Sequence, residues 1–418
     1  MPHSRYLAVT GVGRPSISGP RRSADDDAVV ARGTRSPVKR FESLESLRGI
    51  AALLVVFYHA GVRTPFTESS FVRNCHLMVD FFFVLSGFVI FHSYGHRLRD
   101  RAQLLTFTIT RFGRVYPLHF VMLWVFLAIE AMKLLAQRVT GVVPADPAFS
   151  INDGRAFLTN LFLVQALGFH DDVTFNYPSW SVSTEFFTYQ LFALVFLLAR
   201  NHVRTAARWI APALSAGAFA VLWFVVGSMT PTVDFGVVRC AGGFFLGVFA
   251  YQIYLGVHRA RPNGGAALDL IALVAFAAIG ALLASELSSG ARFLLPPLFA
   301  LLVVVVAALD ESARVDRVLR SRPLAWLGQR SYSVYMVHAA IIWVATQVLR
   351  FGAHVPVETI GKRSLLATDE TTGAASLVLV VVAVLWVSNW TFRRIEDEYR
   401  SRSRAFAGEL VGRLWRPD

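Results

Sequence analysis

Arg48 and His59 stand at either end of the stretch LRGIAALLVVFYH. If that stretch is helical, eleven residues place them about 20° apart in rotation and about 16 Å apart along the axis. They then share one face, with a guanidinium at one mouth and a titratable imidazole, of ordinary pKa about 6.5, towards the other. Such a face could line a single path for a reacting group. It could equally hold a snorkelling arginine and a histidine hydrogen-bonded to a neighbouring helix.

Other polar groups interrupt apolar runs in the same way. Arg111 and Arg114, in RFGRVYPL, are three residues apart and fall on one helical face. With Arg48 they could grip phosphates, because a guanidinium meets a phosphate with two parallel hydrogen bonds; basic anchoring of a helix end is the alternative. Asp80 opens DFFFVLSGF, where it could pair with a cation or orient a histidine, and Ser86-Gly87 in that run reads as a small step that lets helices approach. Tyr177, Trp180, Ser181 and Glu185 form a polar and aromatic entry, YPSWSVSTEFF. Glu185 is expected at the depth of His59, where it could orient the imidazole or contact a hydroxyl acceptor. His338, in SYSVYMVH, is expected about 10 Å in from the inner face as a structural or donor-channel group. Cys75 and Cys240 have no metal-ligand spacing, so no metal is expected.

The elements that must position these groups are membrane helices. The mean hydropathy is +0.49, with 55% hydrophobic and only 17% charged residues, against about 25% charged in ordinary soluble chains. Apolar runs long enough to cross about 30 Å of hydrocarbon fall at 47–63, 76–94, 115–136, 180–199, 207–227, 235–257, 267–285, 291–309, 332–350 and 374–392. The expectation is therefore an all-α polytopic bundle of about ten transmembrane helices with both termini cytoplasmic. In that orientation 31 of the 41 Lys and Arg fall in inner segments, the bias that sets topology. The net charge of +13 is accordingly a topology signal, because the basic residues cluster between apolar runs instead of forming a nucleic-acid face.

Residues 1–40 read as a disordered basic arm facing anionic headgroups, without the apolar core of a signal peptide. Residues 41–400 form the transmembrane domain. Residues 401–418 are a charged cytoplasmic tail, too short for a further soluble domain. The stretch Ala156–Phe169, in the longest outer connection, is expected as an interfacial or re-entrant helix.

Five segments in order, SLRGIAALLVVFYH, FFFVLSGFVI, RFGRVYPLHF, WSVSTEFFTYQLF and SYSVYMVH, resemble the acyltransferase-3 family of membrane acyltransferases, which includes O-antigen and exopolysaccharide O-acetylases and some macrolide acyltransferases. The resemblance covers roughly residues 41 to 400. It implies transfer of an acyl group, usually acetyl, from cytoplasmic acyl-CoA to a hydroxyl of a carbohydrate, glycolipid or related acceptor in a bacterial inner membrane. The family's Arg-x10-His pair falls on Arg48 and His59, its Arg-x-x-Arg on Arg111 and Arg114, and its Trp-Ser…Glu on Trp180, Ser181 and Glu185. After the last span relatives often read Glu-Lys-Pro where this chain has IEDEYR, which weakens any role for the tail. Expected roles are chemistry at His59, Glu185 and Asp80, donor binding at Arg48, Arg111, Arg114 and His338, and acceptor binding at Trp180, Ser181 and Tyr177. The chain either acylates its acceptor itself or hands the group to a separate extracytoplasmic transferase, and no nucleic acid is expected. The rival reading is a proton-coupled transporter or flippase of an anionic or glycan substrate, against which stand the lack of an internal repeat and of paired broken helices.

Overall fold

The computed structural model describes residues 40–142, 146–260, 265–360 and 363–415. The basic arm thus lies outside the described residues, apart from Arg40. The helices are α1 (Glu42–His59), α2 (Ser70–Tyr94), α3 (Arg101–Thr140), α4 (Gly154–Leu161), α5 (Tyr177–Leu198), α6 (Val203–Val226), α7 (Gly236–Arg259), α8 (Gly265–Ala284), α9 (Ala291–Ala308), α10 (Arg322–Gly352) and α11 (Glu370–Leu414). A single hairpin of β1 (Val357–Ile360) and β2 (Arg363–Leu366) is the only sheet among the described residues. All ten expected spans fall on helices.

Among the described residues, nine of these helices are long and apolar enough to cross a membrane. The tenth, α1, carries Glu42, Glu45 and Arg48 within eighteen residues, which lowers its hydropathy, yet at about 27 Å it nearly spans the hydrocarbon. It can carry those charges because it is packed inside the bundle, burying Leu47, Ala51, Ala52, Val55 and Val56. The most apolar stretch of α2 is 72% buried, whereas that of α6 is 17% buried. So α1, α2, α7 and α9 form the centre, while α6, α8 and α11 turn Trp223, Phe224, Leu270, Trp386 and Trp390 outwards, as lipid-facing helices do.

Close helix crossings set the register of the centre. A Cβ on Gly49 would lie 2.6 Å from Gly328 N, and one on Gly328 would lie 2.4 Å from Glu45 O, so the α1–α10 contact requires glycine on both sides. Gly87 and Gly247 do the same for α2 and α7, where added Cβ atoms would fall 1.8 Å from Phe244 O and 1.9 Å from Val84 O. Gly87 is therefore a packing position, as its residue type suggests.

The connection from α3 to α5 is tied to α3. Glu130 accepts hydrogen bonds from Phe149 N at 2.8 Å and Asn152 Nδ2 at 2.7 Å, and Tyr116 donates to Leu161 O at 2.9 Å. The expected helix over 156–169 is real but shorter, ending at Leu161, where Phe162 and Leu163 leave the helical conformation. At the same end, β2 docks on the segment after α1: Leu366 exchanges backbone bonds with Gly61 O (2.8 Å) and Arg63 N (3.0 Å).

Candidate active site

α1 delivers Arg48 and His59 to one face, against α10. Arg48 donates from Nε to Ser331 Oγ at 2.7 Å and from Nη2 to Gly328 O at 3.3 Å, and the His59 ring sits 3.2 Å from His338 Nε2. The glycine crossing at Gly49 and Gly328 lets both meetings occur.

At the Arg48 end a cavity of about 120 Å³ is bordered by Arg48, Arg111, Arg114, Ser181, Glu185 and Tyr332. The Arg111 guanidinium lies 5.0 Å from the Tyr94 ring centre and donates to Tyr94 OH at 3.2 Å, while its Nε lacks a hydrogen-bond partner. Arg114 pairs with Glu396 at 3.1 Å, and Ser333 donates to the other Glu396 oxygen at 2.9 Å. Glu185 accepts from the Ser86 hydroxyl, which lies 3.2 Å from Tyr189 OH. Three cations thus converge on one small chamber with two carboxylates, an arrangement that attracts a polyanion and leaves a donor unfilled.

At the other end His59 is set among aromatic rings. Its Nδ1 lies 3.0 Å from Val55 O; a carbonyl only accepts, so Nδ1 carries the proton and Nε2 is the basic nitrogen. The Tyr177 ring lies tilted 4.9 Å from the His59 ring centre, and Tyr58 meets it edge-on at 4.7 Å. Between chamber and histidines stands Tyr335, whose hydroxyl meets Ser181 Oγ at 2.9 Å and whose ring lies 5.8 Å from His338.

Several expected placements change. Glu185 does not share the level of His59: Tyr177 does, and Glu185, eight residues further along α5, is about 12 Å deeper, among the arginines. His338 does not lie in a donor channel near the helix start, because α10 begins at Arg322, with Pro323 in its first turn; sixteen residues carry His338 about 24 Å along, to His59. Asp80 is committed to Arg239 through bonds of 2.9 and 2.8 Å, both side chains being 2% exposed. The Arg239 guanidinium also lies 5.3 Å from the Trp180 ring, so Asp80, Arg239 and Trp180 brace α2, α7 and α5 together. Cys75 and Cys240 are free and buried.

Ser86 and Glu396 are among the new participants. Ser86, read as packing, bonds to Glu185. Glu396, in a stretch whose charge reads as a solvated tail, is buried because α11 runs on to Leu414 and lies along α3, with Ser403 against Gly113 of RFGR. Nothing in the spacing of IEDEYR distinguishes its first Glu from the exposed Glu398.

Comparison with known proteins places the chain in a family. A family described as acyltransferase domain matches residues 41–392. Acyltransferase MdmB of Streptomyces mycarofaciens is 27% identical over 83% of this chain and 89% of its own length. Peptidoglycan O-acetyltransferase OatA of Listeria monocytogenes is 23% identical over 76% of this chain and 52% of its own length. Protein 2 in the picA locus of Rhizobium radiobacter is 33% identical over 36% of this chain and 80% of its own length. No solved structure matches.

Proposed function

The chain belongs to the acyltransferase family that matches residues 41–392, as a multi-pass membrane member, and from that premise we propose that it moves an acetyl group from acyl-CoA to a carbohydrate or glycolipid hydroxyl in a bacterial cytoplasmic membrane. The single observation that carries the reading is the shared face of α1, which sets a three-arginine chamber at one end and a paired histidine at the other.

The donor phosphates lie at Arg111 and Arg114, with Arg48 nearer the thioester. At about 120 Å³ the chamber is smaller than the ~300 Å³ of a small drug-sized site. It is therefore too small for the nucleotide, which stays at its mouth, while the narrow pantetheine arm carries the thioester through the chamber and past Tyr335 to His59, a passage that favours a short acyl group. The acceptor hydroxyl meets His59 Nε2, which takes its proton as the oxygen attacks the thioester carbonyl. The C–S bond then breaks, and the CoA thiolate leaves and is protonated. Tyr177 and Tyr58 hold the ring, and Val55 O fixes the proton on Nδ1, beside which His338 packs. The name of the Listeria relative, a peptidoglycan O-acetyltransferase, supports a glycan acceptor.

In this reading the arginine chamber and both termini face the cytoplasm, where acyl-CoA is made. The test is radiolabelled transfer from acetyl-CoA in membranes holding the wild-type chain or His59→Ala, with envelope glycans as acceptor. Label in glycan with the wild type alone is the expected result. Absence of both label and CoA release from folded wild type, across several acyl-CoA donors, would overturn it.

A further inference from the structure

Apart from the arginine chamber, a second basic cavity of about 410 Å³ opens at the end of the bundle where Phe41, beside Arg48's helix, packs on His92 and Tyr254. Three arginines from two helices border it: Arg204 and Arg208 on α6, and Arg259 at the end of α7. Its border contains no carboxylate, and among the described residues none of the three guanidiniums forms an ion pair, unlike Arg73, Arg320 or Arg402 elsewhere on the surface. Gln252, from α7, adds a buried side-chain N–H with no hydrogen-bond partner. Burial and the charges of Arg204 and Arg99 hold His96, on the same rim, below the ordinary histidine range. The Ala206–Ile210 turn that carries Arg208 is π-helical, a local widening frequent at functional sites.

A donor-rich pocket without acceptors fits an oxyanion, and its other walls say which kind. Phe249, Ile253 and Leu255 make one side apolar. Arg208 lies 5.4 Å from the ring of Trp209, which is 64% exposed on the most lipid-facing helix, and exposed tryptophans of membrane helices settle at the headgroup level. We propose that this cavity binds the phosphodiester headgroup of an anionic phospholipid, with Arg204, Arg208 and Arg259 around the phosphate, Gln252 as a further donor, and the acyl chains along α6 and α7. The site is separate from the arginine chamber and does not depend on the acyl-transfer reading.

The test titrates the full-length chain in neutral detergent with short-chain phosphatidylglycerol, phosphatidylcholine or inorganic phosphate, and counts bound lipid by native mass spectrometry. Phosphatidylglycerol should bind in preference to the other two. Each arginine near a membrane surface contributes about a five-fold change in affinity, so Arg204→Ala with Arg208→Ala should weaken binding about thirty-fold. Arg138→Ala with Arg155→Ala, which removes the same charge at the other end of the bundle, should not. Gln252→Leu, which leaves every charge in place, should weaken binding about ten-fold. Equal binding by the Arg204/Arg208 variant, or of phosphatidylcholine, would overturn the proposal. Displacement of the lipid by inorganic phosphate or acetyl-CoA at matched concentration would assign the pocket to a soluble phosphate instead.

Discussion

Arg239→Met should destabilise the protein by about 3–5 kcal/mol, the cost of stranding one member of a buried ion pair. The geometry sets that scale. Asp80 and Arg239 are each 2% exposed, two charge-assisted bonds of 2.9 and 2.8 Å join them, and Arg239 also donates to Pro231 O at 3.3 Å. Without the guanidinium the Asp80 carboxylate has neither water nor a counter-charge. Asp80→Leu strands the guanidinium in turn, although the Trp180 face at 5.3 Å offsets about 1–2 kcal/mol of that loss. The double variant Asp80→Leu/Arg239→Met strands nothing and should lie within about 2 kcal/mol of wild type, giving a coupling of about 3 kcal/mol or more. Denaturant unfolding in micelles reads the stabilities, and acetyl transfer by the same samples reads the role. If Asp80 is a brace, the double variant regains transfer that both single variants lose. Additive losses, or a stable double variant without transfer, would refute the brace and return Asp80 to the chemistry.

His59→Ala should lower turnover by about 10²–10⁴-fold, the range of a general base, while donor affinity, read by CoA-analogue binding, stays within two-fold or so. Arg111→Ala should raise the KM for the acyl-CoA donor by about ten-fold or more, as expected for a lost charge-assisted bond, with a smaller change in the acceptor KM; equal changes in both would detach this arginine from the donor, whereas Arg114→Ala also strands the buried Glu396 and should lower stability as well. Gly49→Val places a side chain where even a Cβ lies 2.6 Å from Gly328 N; it should cost several-fold in folded yield and abolish transfer, because it separates Arg48 from Ser331 and His59 from His338. Hydrogen bonds from Thr372 hold the Asp369 carboxyl below the usual carboxylate range. A depressed folded pKa gives stabilisation that is present above the unfolded value and lost as pH falls through the folded one, so acid should fray the first turn of α11, read as faster exchange of the Thr372 amide below about pH 4.

The spans and the shared face of Arg48 and His59 were legible in the sequence, because hydropathy over some twenty residues and the 3.6-residue period act locally. The arginine pair at Arg111 and Arg114 was legible for the same reason. Partners were not. Nothing local tells that Glu185 belongs with Ser86 and not His59, since that depends on where α5 starts relative to α1, a turn at Tyr177 that pattern alone does not date. His338 was displaced by the polar first turns of α10, which read as loop but are helix, packed at Gly328 against Glu45 and Arg48. Glu396 and the Asp80–Arg239 pair, 159 residues apart in the chain, exist as features only because helices distant in sequence bury opposite charges together. Local pattern thus determined the helices and the direction of their polar faces, whereas which charge met which was decided by packing, where glycine crossings and the cost of an unpaired charge in hydrocarbon leave few arrangements open.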